Sequence, residues 1–212
     1  AQVLTETFNA GPVLDLAEKE KATILHGFEA HWLDLLNEQK KKPRTLCVRL
    51  GTLPSGVEST VPIADKVQDT FCPTISGFGM SETWAFVSVS NLSHTREQRV
   101  HSSGYPMNDY EFKIIDMETG KEKRKGEAGE LWVRGYATMS SYWDKPEATA
   151  ETKDKEGWVH SGDMAMIRPD DMLVFMGRYK DMLKVGGENV SPAEVEAYLR
   201  NMPEILDAAV VS

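Results

Sequence analysis

Cysteine, positive charge and long apolar runs are all scarce in this chain, and each shortage removes a class of function. Only two of the 212 residues are cysteines. Cys47 and Cys72 could form at most one bridge and neither has metal-ligand spacing, which excludes a disulfide scaffold and points to a reducing, cytoplasmic setting. Lysine and arginine total 24 against 33 aspartates and glutamates, a formal net charge of −9. That balance leaves no basic face for nucleic acid or for an anionic membrane surface. The basic run "KEKRKGE" at residues 121–127 is interleaved with acids after a turn signal and reads as a solvated loop. No apolar stretch reaches transmembrane length, and no signal-peptide pattern is read. What remains is 41% apolar and 27% charged, the composition of an ordinary soluble globular protein. The chain lacks an initiator Met and enters a helix almost at once, so an internal piece of a longer protein is expected.

Periodicity divides the chain into two textures. Val13, Leu16 and Ala17 follow a helical period after Pro12, and "ATILHG" reads as a short buried strand ended by Gly27. A second helix carries Trp32, Leu35 and Leu36, followed by the strand "TLCVRLG", the helix "PIADKVQDTF" and the strand "CPTISGFG". This alternation predicts a parallel-sheet α/β subdomain over residues 1–98. From about Tyr105 the strands "YEFKII", "GELWVRG" and the pair flanking the turn at 169–171 predict a small antiparallel, β-barrel-like subdomain over 99–179. Residues 180–212 read as a hinge and the truncated start of a further domain: a polar link, the helix "SPAEVEAYLRNM" capped by Ser191, Pro192 and Glu194, and a final strand "ILDAAVVS". The fold class is therefore α/β (α+β).

The stretch "GFGMSETW", residues 77–84, fits neither an amphipathic helix nor an alternating strand. Its glycines permit positive φ or close approach to a ligand, and Ser81 and Glu82 supply a donor and a hard anionic oxygen. The set suits a phosphate and its metal ion, and it falls at the carboxyl end of a parallel strand, where α/β sheets collect ligands. A plain surface turn is the structural alternative.

Taken in order, "GFGMSE", "GELWVRGYATMSSYWDKPEAT", "GWVHSGD" and "GRYKDMLKVGGENVSPAEVE" resemble the adenylate-forming superfamily of acyl-CoA and aryl-CoA synthetases, luciferase and peptide-synthetase adenylation domains. The resemblance covers nearly the whole chain. It implies activation of a carboxylic acid with ATP, then transfer of the acyl group to the thiol of CoA, with Mg²⁺ assisting. It further implies that Phe78 stacks on the adenine, that Gly77 and Gly79 belong to the ATP/AMP site, that Ser81 bonds the phosphate region, and that Glu82 helps to hold Mg²⁺. Asp163 would accept from both ribose hydroxyls, Arg178 would add donors on the ribose and phosphate side, Lys180 would be the hinge, and Gly186 and Gly187 would belong to the loop of the thioester step.

Bland alternatives stand beside these roles: Phe78 as core, Asp163 and Arg178 as a structural ion pair, His31 and Trp32 as a core helix face rather than acyl pocket, and "KPEAT" as a helix start. His160 has no evident partner in the sequence. The family's Gly- and Ser/Thr-rich phosphate loop and its distal catalytic Lys are not in these residues. Where a Gly-Gly-Ala-Pro-like turn is usual, the sequence reads "RLGTLPSG", with only Gly51 matched. The acid, the acceptor (CoA or a carrier-protein pantetheine), retention of catalysis and oligomeric state stay open.

Overall fold

A computed structural model describes residues 2–185, 188–200, 202, 204–205 and 208–211. The first layer alternates as expected: α1 (Ala10–Lys19), β1 (Ile24–His26), α2 (Glu29–Lys41), β2 (Leu50–Thr52), α3 (Val61–Thr70) and β3 (Thr74–Ile75). The three strands pair in parallel in the order β1-β2-β3. Each is only two or three residues long, so most of "TLCVRLG" is extended chain leading into β2. Helices cover the sheet through Leu14, Trp32, Leu35, Ala64 and Val67, all buried in one cluster. Trp32 ties α2 to β2 directly, because its indole donates to the Thr52 carbonyl at 2.9 Å. His31, next to it, caps the same helix by accepting from the Phe28 amide at 3.1 Å. Trp32 packs wholly in the core on this helix face, whereas His31 stays partly exposed at the cap.

The segment "CPTISGFG" is two strands in two sheets. β3 ends at Ile75, and β4 (Gly77–Gly79) pairs antiparallel with β5 (Phe86–Val89), which pairs with β6 (Tyr105–Pro106). Between β5 and β6 lies the short helix α4 (Arg96–Val100), started by a reciprocal cap in which Thr95 Oγ1 accepts from the Gln98 amide and Gln98 Oε1 accepts from the Thr95 amide. Then β7 (Tyr110–Ile115), β8 (Gly129–Gly135), β9 (Val159–Ile167) and β10 (Leu173–Arg178) form an antiparallel meander, with α5 (Pro146–Thr152) between β8 and β9. The expected barrel is not closed: the sheet order β10-β9-β8-β7 is open. The strands are six to nine residues long, with Leu131 and Val133 buried on one face against Ile114, Ala165 and Leu173.

After Arg178 come a single 3₁₀ turn, the hairpin β11 (Leu183–Val185) and β12 (Glu188–Val190), and α6 (Pro192–Arg200), opened by Pro192. The expected last strand does not form among the described residues: Ile205 and residues 208–211 belong to no strand. An apolar run becomes a strand only where an edge is offered to it, and propensity alone does not supply one.

Gly51 gives this layer a sharp test. A Cβ there would lie 2.8 Å from Trp32 Cζ2 and 3.0 Å from Thr74 Cγ2. Gly51→Ala should therefore lower stability by about 1–3 kcal/mol in urea unfolding, the range for overpacking a closed core. An unchanged midpoint would show that Trp32 is not fixed as described.

Candidate active site

The turn at 77–84 is crowded by its own main chain. Neither Gly77 nor Gly79 has positive φ, but a Cβ on Gly79 would stand 2.1 Å from the Ala85 carbonyl oxygen. Glycine lets β4 fold tightly on β5. Phe78 points into the core against Phe175, ring centroids 5.5 Å apart, and is 7% exposed. Its amide donates to Ser88 Oγ. Ser81 and Glu82 then open a 3₁₀ turn over Ser81–Thr83, with Ser81 exposed and Glu82 partly exposed. The Glu82 carboxylate accepts from the Tyr142 hydroxyl at 2.6 Å.

Asp163 owes its position to two irregularities in neighbouring ladders. On one side, Glu130 pairs with Met164 but Trp132 pairs with His160, so β9 carries extra residues opposite Leu131. On the other, Phe175 pairs with Ala165 but Gly177 with Met164, leaving Met176 as a bulge on β10. The amides freed by the first irregularity find side-chain acceptors. Gly162 donates to Glu130 Oε1 at 2.9 Å and Asp163 to Ser161 Oγ at 3.0 Å, while the Ser161 hydroxyl donates to the Leu131 carbonyl. Glu130 is itself buried and also accepts from the Trp132 indole at 2.6 Å. His160 finds its partner in Trp132, stacked at 3.8 Å.

The result is a carboxylate 2% exposed and aimed inward. Arg178, its cross-strand partner, brings Nε to 3.3 Å of Oδ1, yet Oδ1 accepts no hydrogen bond among the described residues. Burial pushes the Asp163 carboxyl up to about 6; Arg178 opposes this, and Glu82, Glu130 and Asp181 add to it. The ion pair does not win because Arg178 is half exposed and misaligned for donation, so it offsets only part of the desolvation. A buried acceptor without a donor is what a ligand hydroxyl can satisfy.

Glu82, Tyr142, Glu130, His160 and Gly162 border one cavity of about 430 Å³. Asp163 does not line it, but of the residues singled out in the sequence Glu82 lies near enough to Asp163 to raise its proton affinity, and Arg178 stands beside Asp163. Phe78 lies in the core, Lys180 occupies the 3₁₀ turn Tyr179–Asp181 beyond Arg178, and Gly186 and Gly187 lie outside the described residues. Tyr142 and Glu130 were not legible as site residues. A glutamate inside the apolar strand "GELWV" was the signal for Glu130; Tyr142 left none, because its partner is 60 positions away.

A parallel layer delivering a carboxylate turn beside an antiparallel meander that buries a second carboxylate is the mixed α/β architecture of adenylate-forming enzymes. The chain belongs to the AMP-binding enzyme family, whose model matches residues 1–143. It is 32% identical over 219 residues to 4-coumarate–CoA ligase 3 of Oryza sativa subsp. japonica, covering 99% of this chain and 39% of that protein. It is 31% identical over 209 residues to the mitochondrial medium-chain acyl-CoA ligase ACSF2 of Mus musculus, covering 97% and 34%. Among solved structures, the anthranilate CoA ligase AuaEII in complex with anthranoyl-AMP superposes with TM-score 0.82 at 29% identity, over 95% of this chain and 38% of that one. The O-succinylbenzoate CoA synthetase of Bacillus subtilis, in complex with ATP and magnesium ion, gives 0.81 at 26%, over 95% and 41%. The chain spans about two fifths of the length of these relatives or less. Among the described residues no helix is long and apolar enough to cross a membrane.

The raised carboxyl sets a pH dependence. Its ordinary value is 3.8 and the folded value about 6, so the folded state holds the proton more tightly and stability falls as pH rises between those values. Asp163→Asn should be more stable than wild type above pH 6, by at most about 3 kcal/mol, with the advantage vanishing below about pH 4. Thermal unfolding across pH without nucleotide checks it; parallel profiles for the two proteins would refute the desolvated carboxylate.

Proposed function

We propose that these residues serve an ATP-dependent carboxylic acid–CoA ligase of the relatives' full length, working through an acyl-adenylate, with a fatty or aryl acid as substrate. The observation that carries this reading is Asp163: a desolvated carboxylate with an unused lone pair, matched to the two hydroxyls of a ribose. Each such hydrogen bond to a charged acceptor contributes about 1.5–3 kcal/mol. Arg178 adds a cation on the phosphate side. Ser81, exposed at the start of its turn, offers a hydroxyl to the phosphates.

Among the described residues no group of three or more His, Cys, Asp or Glu could hold a metal by itself. Glu82 fits Mg²⁺ in the way a nucleotide site uses it, one carboxylate with phosphate and water oxygens completing the shell. Bound there, the ion would neutralise charge on the phosphates. The acid carboxylate attacks the α-phosphate, pyrophosphate leaves, and the thiol of CoA then displaces AMP from the acyl carbon. Phe78, already in the core, would meet adenine only by its residual exposed edge, and Gly77 and Gly79 would form the floor beside it. Gly186 and Gly187 are proposed for the thioester step by motif alone. The division at 98 and 179 and a cytoplasmic location are likewise part of this reading; β4, β5 and β6 form one sheet across the first boundary.

A panel of carboxylic acids assayed for pyrophosphate release by the full-length protein, with and without CoA, tests the reaction. Acid-dependent release, with turnover on adding CoA, is expected, and Asp163→Ala should weaken ATP binding. The 212 residues alone should make no acyl-CoA. Release that ignores CoA but responds to a pantetheinylated carrier would favour the carrier-loading alternative.

Lys180 sits in a one-turn link between β10 and β11, where a pivot would change backbone torsions while its neighbours keep theirs. Lys180→Pro fixes φ near −65° and restricts Tyr179 before it. Single-turnover assays should then find adenylation and thioester formation slowed unequally; equal slowing, or none, would remove the hinge role.

A further inference from the structure

The ten residues between β8 and α5 are held as a strap across the Glu82 turn. The Met139 amide donates to the Glu82 carbonyl at 2.6 Å, and the Tyr142 hydroxyl donates to Glu82 Oε1 at 2.6 Å. Helix α5 and the residue after it fix the strap in turn. Thr149 Oγ1 accepts from the Tyr142 amide at 2.9 Å and donates to the Lys145 carbonyl at 2.8 Å, while Lys153 Nζ donates to the Met139 carbonyl at 2.7 Å. Glu82 is thus gripped by main chain and side chain from one element, itself anchored by another. A helix start alone would need none of these bonds to Glu82.

We infer that Tyr142 is a positioning residue that sets Glu82 Oε2 toward the metal and phosphates, and that α5 and the strap exist in part to hold it there. The inference rests on the reading of Glu82 as the metal-binding carboxylate. A hydrogen bond on Oε1 fixes the carboxylate plane and leaves one oxygen for the cation. Single-oxygen coordination suits the strict octahedron of Mg²⁺ better than a chelating carboxylate. Tyr142 and Glu82 both face the 430 Å³ cavity, which leaves room for phosphate oxygens beside them.

The test compares wild type, Tyr142→Phe, Thr149→Val, Glu82→Gln and the Glu82→Gln/Tyr142→Phe pair in the full-length protein. Calorimetry measures binding of ATP with Mg²⁺ and with chelator, and thermal unfolding is recorded alongside. Tyr142→Phe should weaken Mg²⁺-dependent binding by about tenfold, leave chelator binding unchanged, and have no further effect once Glu82 is Gln. Thr149→Val, which loosens the strap without touching Glu82, should shift the metal dependence in the same direction. If Glu82→Gln alters metal dependence but neither other variant does, the positioning role is overturned and the metal reading stands. If Glu82→Gln alters nothing, the metal reading falls and the inference with it. Equal loss of binding with and without metal, accompanied by a lower melting temperature, would mark Tyr142 as structural only.

Discussion

Ser76 is the single residue between two sheets, and the position of everything downstream depends on how its polar atoms are satisfied. Its amide donates to Ser90 Oγ and its carbonyl accepts from the Ser90 amide, both at 2.8 Å, while its hydroxyl accepts from the Ser55 amide and donates to the Ser55 carbonyl. Ser103 extends the network, with its hydroxyl on the Ser55 carbonyl and its carbonyl accepting from Ser88. All five serines are buried. An unpaired buried polar group costs about 1–3 kcal/mol, so each bond here excludes other paths for the chain. The parallel layer is thereby fixed to the antiparallel one, and Gly77 to Glu82 leave the junction in one direction.

Desolvation organises the site that the junction points toward. The ladder parity of β9 puts Asp163 on the same face as Val159 and Ala165, so the strand that builds the core also buries the carboxylate. The fold tolerates this because Arg178 is opposite and because the freed amides of the irregular stretch are taken up by Glu130 and Ser161. Burial therefore costs stability at neutral pH, where the carboxyl has lost its proton. The same burial that raises its proton affinity strengthens any hydroxyl it meets, since a low-dielectric surround enhances both.

Several charged contacts tie elements together, across the two textures and within the first, without contributing chemistry. Arg168 pairs with Glu97 on α4 at 2.8 Å, and Gln98 reaches Asp170 at the β9–β10 turn. Arg44, almost wholly enclosed, joins Asp15 of α1 to Glu38 of α2. This guanidinium is a clamp between helices, and its burial is supported by carbonyl acceptors from Lys42 and Glu38. By contrast, residues 121–127 are almost all exposed, and Lys123 pairs with Asp116 at the hairpin turn.

Local information determined a good part of this protein. The helix signalled by Val13, Leu16 and Ala17, the helix carrying Trp32 and Leu35, the alternation of Leu131 and Val133, the turn at 169–171 and Pro192 at a helix start each depend on residues within a few positions of one another, and each formed where its pattern indicated, although α1 buries Leu14 with Ala17 in place of Leu16. The motifs that carry the family likeness are local too. The tertiary structure decided what depends on distant partners: that β3 and β4 part at Ser76, that the meander stays open, and that 205–211 gain no strand among the described residues. It also decided that Phe78 packs on Phe175 and that Tyr142 closes on Glu82. A hydrogen bond across 60 residues leaves no period in the sequence, and the desolvation of Asp163 comes from the sum of its neighbours, which only folding assembles.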